Sequence, residues 1–267
     1  FRKWHKTNYL ELEWGIWGHN LPKKLKKYNL DNSIYAKIDK ERNIEQYCFT
    51  SDTLFKYVNL EVDRIHKSDN NLDKYMILPN DNNLVCTCST CKNIGNTKND
   101  ASPAVFYFLD RLSKNHKSLN FFTTAYVTVK SVPKSKVNKN IGVFISTIDI
   151  QKGIPIANSR YFENWKNKVD KIYIWDYAVN FDNYLDIYPS ILTTQQNLKL
   201  YKDLGIKGVF IHGSEYNYGT FQDLKTVLLS KLLWYVNTNV SKEIADFFSS
   251  RYSSNLASLL NSYYNSI

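Results

Sequence analysis

No stretch of about 18 consecutive apolar residues occurs in this chain, so no segment of it reads as a transmembrane helix. Glycine is scarce, 9 of 267 residues, and no apolar run is followed by the glycine-rich loop that cradles phosphates in dinucleotide-binding folds. Acidic residues number 25 against 35 lysines and arginines, leaving a formal net charge of +10. That excess alone would suit nucleic acid. However, the lysines are scattered, the densest group is Lys23-Lys24-Leu25-Lys26-Lys27, and no recognisable nucleic-acid module accompanies them. Nucleic acid is therefore not expected as a partner; a Lys-, Asn-, Ile- and Tyr-rich codon usage or a polyanionic, uronate-bearing substrate accounts for the charge as well. The chain begins at Phe1 without Met, signal peptide or lipidation motif and reads as a trimmed segment, so its terminus does not report its location.

What is abundant is apolar and aromatic residues, 43% and 15% of the chain, enough for a large core. They recur in short runs that end in polar clusters. Lys171-Ile172-Tyr173-Ile174-Trp175 runs into Asp176-Tyr177 and Asn180, and Lys74 to Pro79 runs into Asn80-Asp81-Asn82. Leu119 to Ala125 ends at Tyr126, Gly15-Ile16-Trp17-Gly18 ends at His19-Asn20, and Gly208 to Ile211 ends at His212 and then Glu215. With runs at 44–49 and 141–146, about seven strands are expected, alternating with helical patterns over 52–66, 102–114, 158–168, 193–204, 220–235 and 241–265. Ser51 suits an N-cap, Pro103 a first helical turn and Gly205 a C-cap.

Alternation of this kind predicts parallel βα units. Polar clusters that always follow the strand match the barrel rule that sites sit at C-terminal strand ends. The expected fold is α/β, a (β/α)8 TIM-like barrel over 1–219 whose first strand either precedes a truncated N-terminus or falls within residues 1–12, followed by C-terminal helices over 220–267. An open doubly wound sheet is the alternative.

The four cysteines fall into two places, Cys48 at a strand end and Cys86-Thr87-Cys88-Ser89-Thr90-Cys91. Four thiolates with a Cys-x-x-Cys element suit a tetrahedral structural zinc site, and two disulfides suit an exported protein; the spacing leaves both open. Four protein ligands would leave zinc no open position, so no catalytic cofactor is expected.

Taken in order, Trp14 to Asn20, Asn80-Asp81-Asn82 with the cysteine cluster, Ala125-Tyr126, Ile174 to Tyr177 with Asn180-Phe181, Gly205 to Phe210, Lys231 to Trp234 and Phe247 to Tyr252 resemble the bacterial domain-of-unknown-function family 4838. That family is common in polysaccharide-degrading Bacteroidetes and is similar to α-glucuronidase and hexosaminidase barrels. The resemblance implies a glycoside-hydrolase-like barrel whose first strand lies upstream of Phe1, an exported location and a carbohydrate substrate.

Glycoside hydrolysis uses one carboxyl as acid and another as base or nucleophile. The strand-end carboxylates are Asp81, Asp176 and Glu215. Asp81 and Asp176 are the expected pair, with Glu215 in reserve. Asp81 also fits an ordinary Asn-Asp-Asn turn, and Asp176 a structural bond at the barrel rim. His19, Asn20, Asn80, Asn82, Asn180 and His212 are candidates for binding sugar hydroxyls, and Trp17, Tyr126, Trp175 and Tyr177 for stacking on sugar rings. A non-catalytic glycan-binding barrel is the alternative function.

Overall fold

The computed structural model describes residues 2–148, 159–188, 191–214 and 218–266. The chain forms two compact units. One, the cysteine-bearing unit, is Tyr9–Ser146 with Arg160–Tyr173; the other, the C-terminal unit, is Phe1–Asn8, Thr147–Ser159 and Ile174–Ile267. The strands are β1 (Tyr35–Ile38), β2 (Glu41–Tyr47), β3 (Lys74–Met76), β4 (Asn120–Ala125), β5 (Ile141–Ser146), β6 (Lys171–Tyr177) and β7 (Val209–His212). The architecture is mixed α/β, with helices between a parallel five-stranded sheet in the order β3-β4-β5-β6-β7. Ile16 adds an isolated parallel bridge to Tyr75, on β3.

Every sheet neighbour is also the next strand in the chain, with no reversal among the described strands. A doubly wound sheet needs a switch point where the order turns back, and none is seen here. The expected strand at 44–49 is a correction. It is part of β2, which pairs antiparallel with β1 in a separate hairpin. Asp39 takes a positive φ of 53° at the tight connection to Glu41, so the chain folds back locally instead of crossing over.

In the cysteine-bearing unit, β4 and β5 are buried on both faces, as central parallel strands are. One face gathers Trp14, Phe122, Phe144 and Tyr173, with ring centroids 4.8 Å apart for Trp14–Phe122 and 4.9 Å for Phe144–Tyr173. Gly142 makes room for this cluster, because a Cβ there would lie 2.3 Å from the Phe122 ring and 2.9 Å from the Lys171 carbonyl. Helix Asp52–Ser68 starts where Ser51 Oγ accepts the Leu54 N–H at 3.2 Å, and it buries Leu54, Val58, Val62 and Ile65 along one stripe. Helix Ser102–Asn115 carries Pro in its first turn and buries Val105, Phe108, Leu109 and Leu112.

In the C-terminal unit, Ile174 to Tyr177 pair in parallel with Val209 to His212. Helix Ile191–Asp203 is followed by Gly205, whose φ of 72° suits the left-handed turn that ends it. Helix Gln222–Trp234 packs against helices Ile191–Asp203 and Val240–Ser249. The single helix expected over 241–265 is two helices, Val240–Ser249 and Ser254–Asn265. The break falls at Ser250 to Ser253, where serine side chains compete for backbone hydrogen bonds. No helix among the described residues is long and apolar enough to cross a membrane.

Candidate functional site

The four cysteines converge. Cys48 follows β2, Cys86 lies beyond β3, Cys88 caps helix Ser89–Ile94, and Cys91 is fully buried within that helix. Their sulfur atoms all lie within 4.8 Å of one another, and Cys48 Sγ is 3.8 Å from both Cys88 Sγ and Cys91 Sγ. A tetrahedron with metal–sulfur bonds of about 2.3 Å has edges of about 3.8 Å, whereas a disulfide joins its sulfurs at about 2.0 Å. None of the four is disulfide-bonded.

Backbone donors point at these sulfurs. The Lys37 N–H donates to Cys86 Sγ at 3.2 Å and the Cys91 N–H to Cys88 Sγ at 3.5 Å, while Thr50 Oγ1 lies 3.1 Å from Cys91 Sγ. Such contacts stabilise thiolate and orient metal ligands. Hydrogen bonding from Cys86 and Cys91 holds Cys48 far below the usual thiol range, and the bond to Cys48 pushes Cys86 up to about 11. The donor set could hold a metal ion in a closed, four-coordinate site.

The other candidates of this unit sit at the ends of Gly15 to Gly18, β3 and β4. His19 is exposed, its Nδ1 3.1 Å from the Pro79 carbonyl, and its ring is 6.4 Å from that of Tyr126. Asn20 precedes helix Leu21–Leu25 without capping it through its side chain. Asn80 and Asn82 both donate to the Glu45 carbonyl at 2.8 Å, and Gln46 Nε2 donates to Asn82 Oδ1 at 3.0 Å. These amides tie the loop after β3 to the end of β2. Asp81 stands exposed on that turn. Trp17 is buried against Trp14 and Phe144, which makes it core.

The C-terminal unit holds the remainder, except Glu215, which lies outside the described residues. Side chains alternate along a strand, so Asp176 points to the opposite face from Trp175 and Tyr177. On its face, Thr147 Oγ1 donates to Asp176 at 2.7 Å, the Tyr177 N–H at 2.9 Å and the Tyr201 hydroxyl at 3.4 Å. Burial pushes the Asp176 carboxyl above its ordinary range even though these three bonds pull the other way. The other face carries a part-exposed aromatic cluster. Trp175 lies 4.7 Å from Phe210 and 5.9 Å from His212, and Phe181 lies 5.0 Å from His212 and 5.7 Å from Tyr177. Asn180 organises the following loop by donating to Asp186 at 2.6 Å.

Over residues 5–265, nearly the whole chain, the sequence matches the family described as Domain of unknown function (DUF4838). The chain belongs to that family. No curated protein matches it.

Two further charged groups of this DUF4838 chain are buried, and neither was expected from the sequence. Glu61, with a fully buried side chain, accepts from Arg64 at 2.8 and 3.0 Å, from Tyr28 at 3.0 Å and from Lys27 at 2.5 Å. Burial alone would raise its carboxyl, but the bonds from Arg64, Lys27 and Tyr28 outweigh it and bring the pKa to about 2. Its position in the stripe 54, 58, 61, 65 was a readable signal. Lys225, on helix Gln222–Trp234, is 3% exposed. Its Nζ donates to the carbonyls of Ala178, at 3.4 Å, and of Tyr188. No sequence pattern announces it, because both acceptors come from a distant loop.

Proposed function

We propose that this protein is an exported carbohydrate-active barrel of glycoside-hydrolase type, acting on a complex polysaccharide or glycan and stiffened by a structural zinc ion. The observation that carries the carbohydrate reading is the part-exposed group of Trp175, Tyr177, Phe181, Phe210 and His212 at the C-terminal ends of β6 and β7. Flat aromatic faces beside an imidazole suit the apolar faces and hydroxyls of a sugar. The barrel reading is supported by parallel strands laid down in chain order, since right-handed crossovers then place all helices on one side of the sheet. Cys48, Cys86, Cys88 and Cys91 would hold the zinc. Four thiolates leave no coordination position for substrate, so the ion would supply a cross-link and no chemistry.

In the hydrolase reading Asp176 is the proton-holding carboxyl, because burial favours its neutral form. A second reading, a glycan-binding barrel without turnover, is favoured by one observation. The Asp176 carboxyl is turned toward Thr147 and Tyr201, away from the aromatic face. A panel of plant and host polysaccharides separates the two. Hydrolysis predicts release of reducing ends that Asp81→Asn and Asp176→Asn abolish while retention on the polysaccharide persists. Binding alone predicts retention without release, lost in Trp175→Ala. Neither retention nor release on any member of the panel would refute the carbohydrate assignment.

A further inference from the structure

The Lys225 ammonium lies in a cleft of about 180 Å³ whose lining includes Ser214, Gln222, Val179, Ile211, Leu229 and Leu233. A buried charge is ordinarily paired, yet among the described residues no ion pair involves Lys225, whose partners there are two carbonyls. An ammonium carries three N–H donors, so one remains for the cleft.

Gln222 supplies a second donor. Its Oε1 accepts from the Ser214 hydroxyl at 2.8 Å and from the Gly219 N–H at 2.9 Å. A backbone N–H can only donate, which fixes the amide with its oxygen toward Gly219 and its NH₂ free of that pair. The nearby helix start adds positive potential, a position where a lysine is unfavourable unless something negative joins it. The apolar walls are Val179, Ile211, Leu229 and Leu233, while Thr7, Thr226 and Ser230 add hydroxyl-bearing side chains to the lining.

We propose that this cleft binds a monocarboxylate, held by the Lys225 ammonium and the Gln222 amide, with its body against those apolar walls. A planar carboxylate offers two oxygens to two donors. Phosphate and sulfate present more oxygens and more charge than one ammonium and one amide satisfy. At about 180 Å³ the cleft is of a size for a short-chain acid or a single acidic sugar. The inference does not rest on the carbohydrate reading. Ala178 and Ile211 line the cleft from the Asp176 side of β6 and β7, opposite the face of Trp175 and His212.

The test is an NMR titration of the purified chain with butyrate, D-glucuronate, 1-butanol and sodium sulfate. Saturable binding of butyrate points to a free acid, and of glucuronate to an acidic sugar; either supports the site if butanol and sulfate bind at least tenfold more weakly. Lys225→Met should lower carboxylate affinity at least tenfold. Gln222→Glu keeps the acceptor oxygens for Ser214 and Gly219 but sets a carboxylate beside the ammonium, so it should abolish binding while the fold persists. The proposal is overturned if neither acid binds, if sulfate binds as well as they do, or if Gln222→Glu leaves affinity unchanged.

Discussion

If the four-cysteine centre holds the proposed zinc, withdrawing that ion should loosen the cysteine-bearing unit by an amount the structure sets. The cluster clips Cys48 to Cys88, 40 positions along the chain. In the chain-entropy treatment of a cross-link, closing a loop of about 40 residues removes about 13 cal/mol/K from the unfolded ensemble, or about 4 kcal/mol at 25 °C. At about 2–4 °C per kcal/mol for a chain of this size, the melting temperature should fall by about 10 °C. The assay is a thermal melt of reduced protein with and without a chelator, alongside a count of zinc released per chain. Cys91→Ser, which removes a fully buried ligand, should lower the melting temperature similarly and make it insensitive to chelator. The reasoning fails if reduced protein carries no zinc and melts unchanged with chelator. It fails equally if reductant alone causes the drop, which would return the cysteines to a disulfide role.

Two further outcomes follow from packing and charge. Gly142→Ala sets a Cβ 2.3 Å from the Phe122 ring and 2.9 Å from the Lys171 carbonyl, so urea denaturation should show a loss of about 1–3 kcal/mol; an unchanged midpoint would contradict the close approach of β5 to its neighbours. The Glu61 carboxyl is held down to about 2 in the folded chain, below its ordinary value of 4.5. Its contribution is therefore present above about pH 4.5 and lost as pH falls toward 2, on the order of 2 kcal/mol once the half-exposed partners Lys27 and Arg64 are discounted. Denaturation midpoints from pH 2 to 5 should fall more steeply for the native sequence than for Glu61→Gln, and parallel curves would remove Glu61 from the account.

What could be read from the sequence was local or periodic. Helix Asp52–Ser68 is declared by a serine cap and an apolar stripe, and β4 and β5 by apolar runs that only a doubly buried strand tolerates. The convergence of Cys48 with Cys86, Cys88 and Cys91 was likewise expected from the sequence, although the spacing left zinc and disulfides both open. Even the facing of Asp176 was implicit, since it falls in step with Ile172 and Ile174 rather than with Trp175 and Tyr177.

Partner choice was not readable. The pattern of β2 suits either a parallel or an antiparallel neighbour, and the turn at Asp39 decided it. Nor does a lysine beside Leu224 on an apolar helix reveal its burial. Lys225 is enclosed because the carbonyls of Ala178 and Tyr188 are brought to it from another part of the chain. Helix periods, caps and ligand spacing are short-range properties that a sequence carries directly. Which strand a strand joins and which charge is sealed from water depend on contacts between residues far apart, and the tertiary structure alone decides those.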